Sequence, residues 1–185
     1  MNILEHVGCG GIAEVFKVED GVVYFAFKTL KHLYRNNIEA RSRLHNEYKI
    51  LRTLTHQNIV KCHEWTTIAG RDGILMELIS GTPLADHCID HNWSGFEILR
   101  RIIRYLQSLE PPIIHNDIST QNVLINELGQ VKLIDFSSSF RLGEKPVLIA
   151  RATAQNELIS TTKVLDIDHI LLDSLITSFQ TEAAK

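Results

Sequence analysis

The sequence predicts an α+β protein in two parts, an antiparallel sheet with one helix over residues 1–80 and a mostly helical part over residues 81–185. Three observations carry that prediction. Short runs of alternating apolar and polar residues, punctuated by glycine, occupy the first eighty positions. A single stretch of helical periodicity interrupts them. The break Gly81-Thr82-Pro83 then precedes amphipathic helical segments.

Taken in order, residues 3–7 and 15–18 read as strands on either side of a glycine-rich turn, and Asp20-Gly21 turns the chain into a third strand over 22–30. Over 38–54, Leu44, Glu47, Leu51 and Leu54 recur at helical spacing and put an acid, Glu47, inside an apolar stripe. Residues 76–80 close another apolar run, and Gly81-Thr82-Pro83 is the expected linker. In the second part, Ser94 and Glu97 have capping-box spacing ahead of the apolar face Ile98, Leu99, Ile102, Ile103 and Leu106. Pro111-Pro112 must stop that helix. Short strands follow at 113–115, 123–126 and 131–136, the last two joined by a turn containing Gly129. A final helix over 166–179 would present Ile167, Ile170, Leu171, Ser174 and Leu175.

Composition narrows the function classes. With 185 residues, 44% hydrophobic and 22% charged, the chain can bury a core and does not read as disordered. A formal charge of -3 lacks the positive field that nucleic acid or an anionic membrane demands, so neither is an expected partner. Cys9, Cys62 and Cys88 are odd in number and irregular in spacing, which points to a reducing compartment. With no secretory leader pattern and no long apolar run, the expectation is a soluble cytoplasmic protein.

Several residue groups carry chemistry. The run Gly8-Cys9-Gly10-Gly11-Ile12-Ala13-Glu14-Val15 would let backbone amides approach phosphate, because side chains are absent there. Strand alternation puts Ala26 and Lys28 on one face. Glu47, on the inward face of its helix, needs a cation, since a buried carboxylate is costly alone. Asp86, His87, Cys88, Asp90 and His91 place two histidines at i, i+4, a spacing a metal could use on a helix. No second ligand cluster accompanies them, and a polar helix face accounts for the same residues.

The segment Ile113-Ile114-His115-Asn116-Asp117-Ile118-Ser119-Thr120-Gln121-Asn122-Val123, followed by Ile134-Asp135-Phe136, resembles the catalytic and metal-binding loops of the protein kinase superfamily. His56-x-Asn58-Ile59-Val60 adds to the likeness, which covers roughly residues 3–140. The resemblance implies a bilobal protein-kinase-like fold and an ATP-dependent phosphotransferase acting on a protein, most simply at serine or threonine. It assigns Lys28 to the α and β phosphates, Glu47 to orienting Lys28, Asp117 to the acceptor hydroxyl, and Asn122 and Asp135 to Mg2+. Gly8, Gly10 and Gly11 would cover the phosphates, and Val15, Ala26 and Leu124 would hold the adenine. Glu77 to Ile79 would offer the nucleotide backbone hydrogen bonds at the hinge behind Met76, and Leu51, Cys62, His115 and Phe136 would form the family's regulatory spine.

The sequence departs from the family at three positions. Ser119 stands where serine/threonine kinases usually carry lysine, Asn116 where many carry arginine, and Ser137 where glycine follows the Asp-Phe pair. Glu157 is the candidate for the later Ala-Pro-Glu acid, and Asp166 or Asp168 for the acid of the long helix. The shortened second part is similar to compact bacterial effector kinases, for which a host-cell cytosol is the alternative location. It would leave apolar surface near residues 170–179 for a stabilising or activating protein partner. Two further functions stay open: a small-molecule kinase resembling aminoglycoside phosphotransferases, and a nucleotide-binding pseudokinase scaffold.

Asn116 also yields an expectation about activation. An uncharged side chain cannot form the charge-assisted bonds that make a loop phosphate useful. Phosphatase treatment, or alanine at Thr153, Ser160, Thr161 and Thr162, should leave the basal rate on an exogenous acceptor intact. A fall of about a hundredfold, roughly 2.7 kcal/mol, reversed by rephosphorylation, would show that another cation reads the loop.

Overall fold

A computed structural model describes residues 1–89, 92–144 and 164–182. The chain divides into two compact units: Met1–Thr55 with Val60–Ser80, and His56–Ile59 with Gly81–Lys185. An antiparallel β-sheet with few helices makes this the α+β, protein-kinase-like fold that the sequence predicts.

The first unit is a five-stranded antiparallel sheet in the order β1-β2-β3-β5-β4, built from β1 (Asn2–Cys9), β2 (Ala13–Asp20), β3 (Val23–Leu30), β4 (Cys62–Ile68) and β5 (Arg71–Glu77). Gly21, at φ 64°, supplies the left-handed residue between β2 and β3, a conformation that costs glycine little. On one face Val18, Phe27, Ile68 and Leu75 are buried together, with Ile3, Phe16 and Phe25 against them. Helix α1 (Ile38–Leu51) carries the buried set Ala40, Leu44, Glu47, Ile50 and Leu51. Its first turn is capped by Asn37, whose side chain accepts from the Ala40 N–H at 2.8 Å. Leu54 falls beyond the helix and is half-buried.

In the second unit, the expected linker Gly81-Thr82-Pro83 is itself a short strand, β6 (Gly81–Pro83), hydrogen-bonded to β8 (Val123–Asn126), which pairs in turn with β9 (Val131–Leu133). Glycine suits β6 because a Cβ at Gly81 would lie 2.8 Å from the Ile125 carbonyl oxygen. A second small sheet joins β7 (Ile113–Ile114) to β10 (Phe140–Arg141). The segment His56–Ile59 belongs to this unit: the Leu133 N–H donates to the Asn58 carbonyl at 2.8 Å, and the Asn58 amide donates to the Val131 carbonyl at 2.8 Å.

Helix α2 (Gly95–Gln107) buries Phe96, Leu99, Ile102, Ile103 and Leu106. The expected capping box does not form, since Ser94 has helical geometry and no side-chain cap bond, and Glu97 instead accepts from Arg100 at 2.8 Å. Burial outweighs the missing cap: each large apolar side chain contributes about 1.5–3 kcal/mol, against about 1 kcal/mol for a cap. Helix α3 (Ile167–Glu182) keeps part of its predicted face, with Ile167 and Leu175 buried and Leu171 packed against the cluster of Ile114, Phe140 and Ile167, but Ile170 and Ser174 leave it. Its buried residues are Ile167, Asp168, Leu172, Leu175 and Phe179, while Ile170 is 56% exposed and Ser174 faces solvent. The buried Asp168 carboxylate, held by two backbone N–H groups, takes a place that apolar spacing alone gave to its neighbours.

Gly73 on β5 tests the packing of the first unit. A Cβ there would sit 2.3 Å from the Lys28 carbonyl oxygen and 2.8 Å from the Phe27 ring, whereas one at Gly11 would meet nothing within 4 Å. Gly73→Ala should therefore lose about 1–3 kcal/mol in urea unfolding, and Gly11→Ala should stay within about 0.5 kcal/mol of the parent.

Candidate active site

In the first unit the sheet register gathers the predicted residues on one face. Val15 lies opposite Lys28, and Ala26 opposite Met76, so these four share the face opposite Phe27. From α1, Glu47 reaches the same face, and its carboxylate accepts from Lys28 Nζ at 2.8 Å. The pair is buried, with Lys28 7% and Glu47 1% exposed. At the β1–β2 turn, Gly8 is paired with Val15, and the Gly10 N–H donates to the Ala13 carbonyl at 2.9 Å. The Glu77 N–H is taken by the Lys61 carbonyl at 2.9 Å, and its carboxylate accepts from the Lys61 N–H at 2.7 Å. Ile79 is half-buried.

The loop after β7 is held from inside. His115 is fully buried, and its Nδ1 accepts from the Asp117 N–H at 3.3 Å. That assigns the proton to Nε2, which donates to the Ile134 carbonyl at 3.2 Å. Asp117 itself is exposed, and its carboxylate is oriented by Asn122: Nδ2 donates to the Asp117 carbonyl and to its Oδ2, each at 2.9 Å. The Ile134 N–H donates to the Asn122 carbonyl at 2.9 Å, which ties the residue before Asp135 to Asn122. Asp135 has φ 61°, and its Oδ1 accepts from the Ser137 N–H at 3.2 Å. Phe136 is buried edge-on against the His115 ring, with centroids 4.5 Å apart. Leu124, on β8, is half-buried.

The structure thus brings Lys28, Glu47, Val15, Ala26 and Met76 together in the first unit, and Asp117, Asn122 and Asp135 in the second. Of the spine residues, Leu51 and Cys62 lie in the first unit. Burial, and next the Glu47 carboxylate, pushes the half-buried Cys62 thiol up to about 11, so it behaves as a packing residue and not a nucleophile. The acid left open between Asp166 and Asp168 is Asp168. It is 1% exposed and accepts from the His115 N–H and the Asn116 N–H, both at 2.8 Å. Burial raises its carboxyl above the ordinary range, while His115 and the two N–H bonds oppose that shift.

Among the described residues, 87–89 of the histidine-rich stretch are not helical. A 3-10 turn spans Leu84–Asp86, after which His87 is extended and its Nε2 shares a 2.8 Å hydrogen bond with the Thr82 hydroxyl. Asp90 and His91 lie outside the described residues, as do Thr153, Glu157, Ser160, Thr161 and Thr162.

The two acids can be separated by substitution. Asp168→Asn keeps one acceptor but turns an amide N–H₂ toward a buried N–H, and should lose about 1–3 kcal/mol of stability by urea unfolding. Asp166, which is exposed, should tolerate asparagine within about 0.5 kcal/mol.

The protein kinase domain model matches residues 1–162. The probable serine/threonine-protein kinase PknB of Lactococcus lactis is 28% identical over 177 residues, covering 91% of this chain and 26% of that protein. The serine/threonine-protein kinase PrkC of Bacillus subtilis is 28% identical over 176 residues, with the same two coverages, 91% and 26%. Wall-associated receptor kinase-like 20 of Arabidopsis thaliana is 28% identical over 148 residues, covering 72% of this chain and 22% of that protein. The chain therefore spans about a quarter of the length of these relatives. No helix among the described residues is long and apolar enough to cross a membrane. With a family match over most of its length and the loop geometry that goes with it, the chain belongs to the protein kinase domain family.

Proposed function

We propose that this chain is an ATP-dependent protein kinase that transfers the γ-phosphoryl group to a serine or threonine hydroxyl. The observation that carries the proposal is the Asn122 side chain. By donating to Asp117 through Nδ2 it steadies an exposed carboxylate able to accept a hydroxyl proton, and it leaves Oδ1 as an oxygen ligand. Asn122 Oδ1 and the Asp135 carboxylate are the hard oxygen donors that Mg2+ takes. Bound there, the ion would neutralise charge on the phosphates.

Lys28 supplies a point charge for phosphate, and Glu47 holds it in place. A buried ion pair adds little net stability, and two apolar side chains would serve a core equally well. Retaining the pair therefore suits a positioning task. Gly8, Gly10 and Gly11 are assigned to the phosphates; the open space beside Gly11 leaves room for a ligand where the protein's own packing makes no demand. Val15, Ala26, Met76, Glu77, Ile79 and Leu124 are assigned to the adenine by the same likeness. The serine/threonine acceptor rests on the relatives' names, which describe serine/threonine-protein kinases in two of the three cases.

The test supplies purified protein with labelled ATP, magnesium, and either a protein or a small hydroxyl acceptor. Label should appear on the protein acceptor; transfer only to the small molecule would overturn the proposal. Asp135→Asn should lower kcat by about a hundredfold or more with the fold intact. Lys28→Met should do likewise, but it strands the buried Glu47 and also lowers the melting temperature. Its rate must be read well below that melt. Near-parental turnover by Asp135→Asn at saturating ATP and magnesium would count decisively against the assigned residues.

A further inference from the structure

The segment that follows Asp135-Phe136 is fastened to the loop around Asp117 by a set of uncharged hydrogen bonds. The Asn116 amide Nδ2 donates to the Ser138 carbonyl at 3.2 Å. One residue further on, the Ser139 hydroxyl donates back to the His115 carbonyl at 3.0 Å. The bonds thus cross in opposite directions between two adjacent pairs of residues. Strand pairing extends the seam: Phe140 lies opposite Ile114, Arg141 opposite Ile113, and the Leu142 N–H donates to the Pro112 carbonyl at 2.8 Å.

Both side chains sit where water does not compete, with Asn116 3% and Ser139 0% exposed. Asn116 has φ 64°, a left-handed conformation that asparagine tolerates better than most residues. Its own N–H is bound by Asp168, so backbone and side chain are both committed. Neutral, buried bonds of this kind are weakly screened by salt and need no added charge.

We propose that Asn116 and Ser139 are positioning residues, an uncharged clasp that keeps the segment after Asp135-Phe136 in register with the loop carrying Asp117. The inference rests on the kinase reading given above. Asp117 lies next to Asn116 in sequence, and Asp135 lies three residues before Ser138. Slack at the clasp would therefore loosen both carboxylates while leaving Lys28 and the glycine turn untouched. Its signature is a fall in kcat with little change in the KM for ATP.

Asn116→Gly keeps the left-handed backbone and removes the side chain that bonds Ser138, and Ser139→Ala removes the hydroxyl that bonds His115. Each should lower kcat about threefold to tenfold, the range one lost buried hydrogen bond supports. The KM for ATP should stay within about twofold, because uniform binding is not removed. Ser139→Thr, which keeps the hydroxyl, should restore kcat to within about twofold of the parent. Hydrogen exchange at Leu142 should quicken in the two deletion variants and not in Ser139→Thr, a result that reads the clasp without activity. If the unaltered protein transfers phosphate and both deletion variants match its kcat with unchanged exchange, this inference alone is overturned. If the threonine variant loses as much as the alanine variant while remaining folded, the hydroxyl bond is not the cause and the inference also fails. If the unaltered protein transfers no phosphate, the kinase reading falls, and this inference with it.

Discussion

Two consecutive backbone N–H groups, those of His115 and Asn116, lie buried, and the Asp168 carboxylate satisfies both of them. A buried donor without an acceptor costs about 1–3 kcal/mol, so the second unit cannot leave these groups open. Much follows from that constraint. It pulls helix α3 into the phase that buries Asp168, Leu172, Leu175 and Phe179 and turns Ile170 to solvent. It holds Asn116 in its left-handed conformation, from which the chain emerges with Asp117 exposed. The His115 ring, locked between the Asp117 N–H and the Ile134 carbonyl, then supports Phe136. A single acid distant in sequence thereby sets the geometry of the whole loop.

The first unit is governed by a different constraint, the cost of placing charge inside a small sheet–helix layer. Lys28 and Glu47 meet at 2.8 Å with almost no exposure, and each offsets much of the penalty of burying the other. Around them the sheet is conventional: alternation along β3 sends Phe27 to the apolar cluster with Val18, Ile68 and Leu75, and Lys28 to the opposite face. Gly73 lets β5 lie close to the Lys28 backbone, so the strand bearing the cation is packed as tightly as the cation is paired. The same burial raises the Cys62 thiol and removes it from the list of reactive groups.

Both units hold backbone polar groups with side chains. In the first, the Asn37 side chain accepts from the Ala40 N–H and the Thr29 hydroxyl donates to the Asp72 carbonyl; in the second, four such bonds run from Asn58 to Val131, Asn116 to Ser138, Asn122 to Asp117 and Ser139 to His115. Asparagine serves three of these four bonds. Its amide can donate to a carbonyl without bringing a charge into the interior, which keeps the desolvation cost low. Among the departures from the family pattern, Asn116 is thus no empty replacement for arginine. It holds its neighbours by a different chemistry.

Local patterns were enough to read β1 to β3, helix α1 with its inward Glu47, the strands around Gly129, and the ordered set Lys28, Glu47, Asp117, Asn122 and Asp135. Period-two alternation, helical spacing and turn glycines are properties of adjacent residues, and the motif residues keep their order along the chain. The sequence by itself therefore determined the fold class, the family likeness and the identity of the candidate site residues. Other features were decided by contacts between distant segments. Ser94 looked like a cap, yet packing of α2 set the start of the helix without one. Gly81-Thr82-Pro83 looked like a linker, but β8 offered it a strand partner. His56–Ile59 joined the second unit through Asn58 and β9. The choice between Asp166 and Asp168, and with it the phase of α3, needed the buried N–H groups of a loop some fifty residues earlier. Apolar periodicity found Ile167, Leu171 and Leu175 but not Asp168, and only the tertiary structure, by demanding an acceptor at one buried point, brought that acid inside.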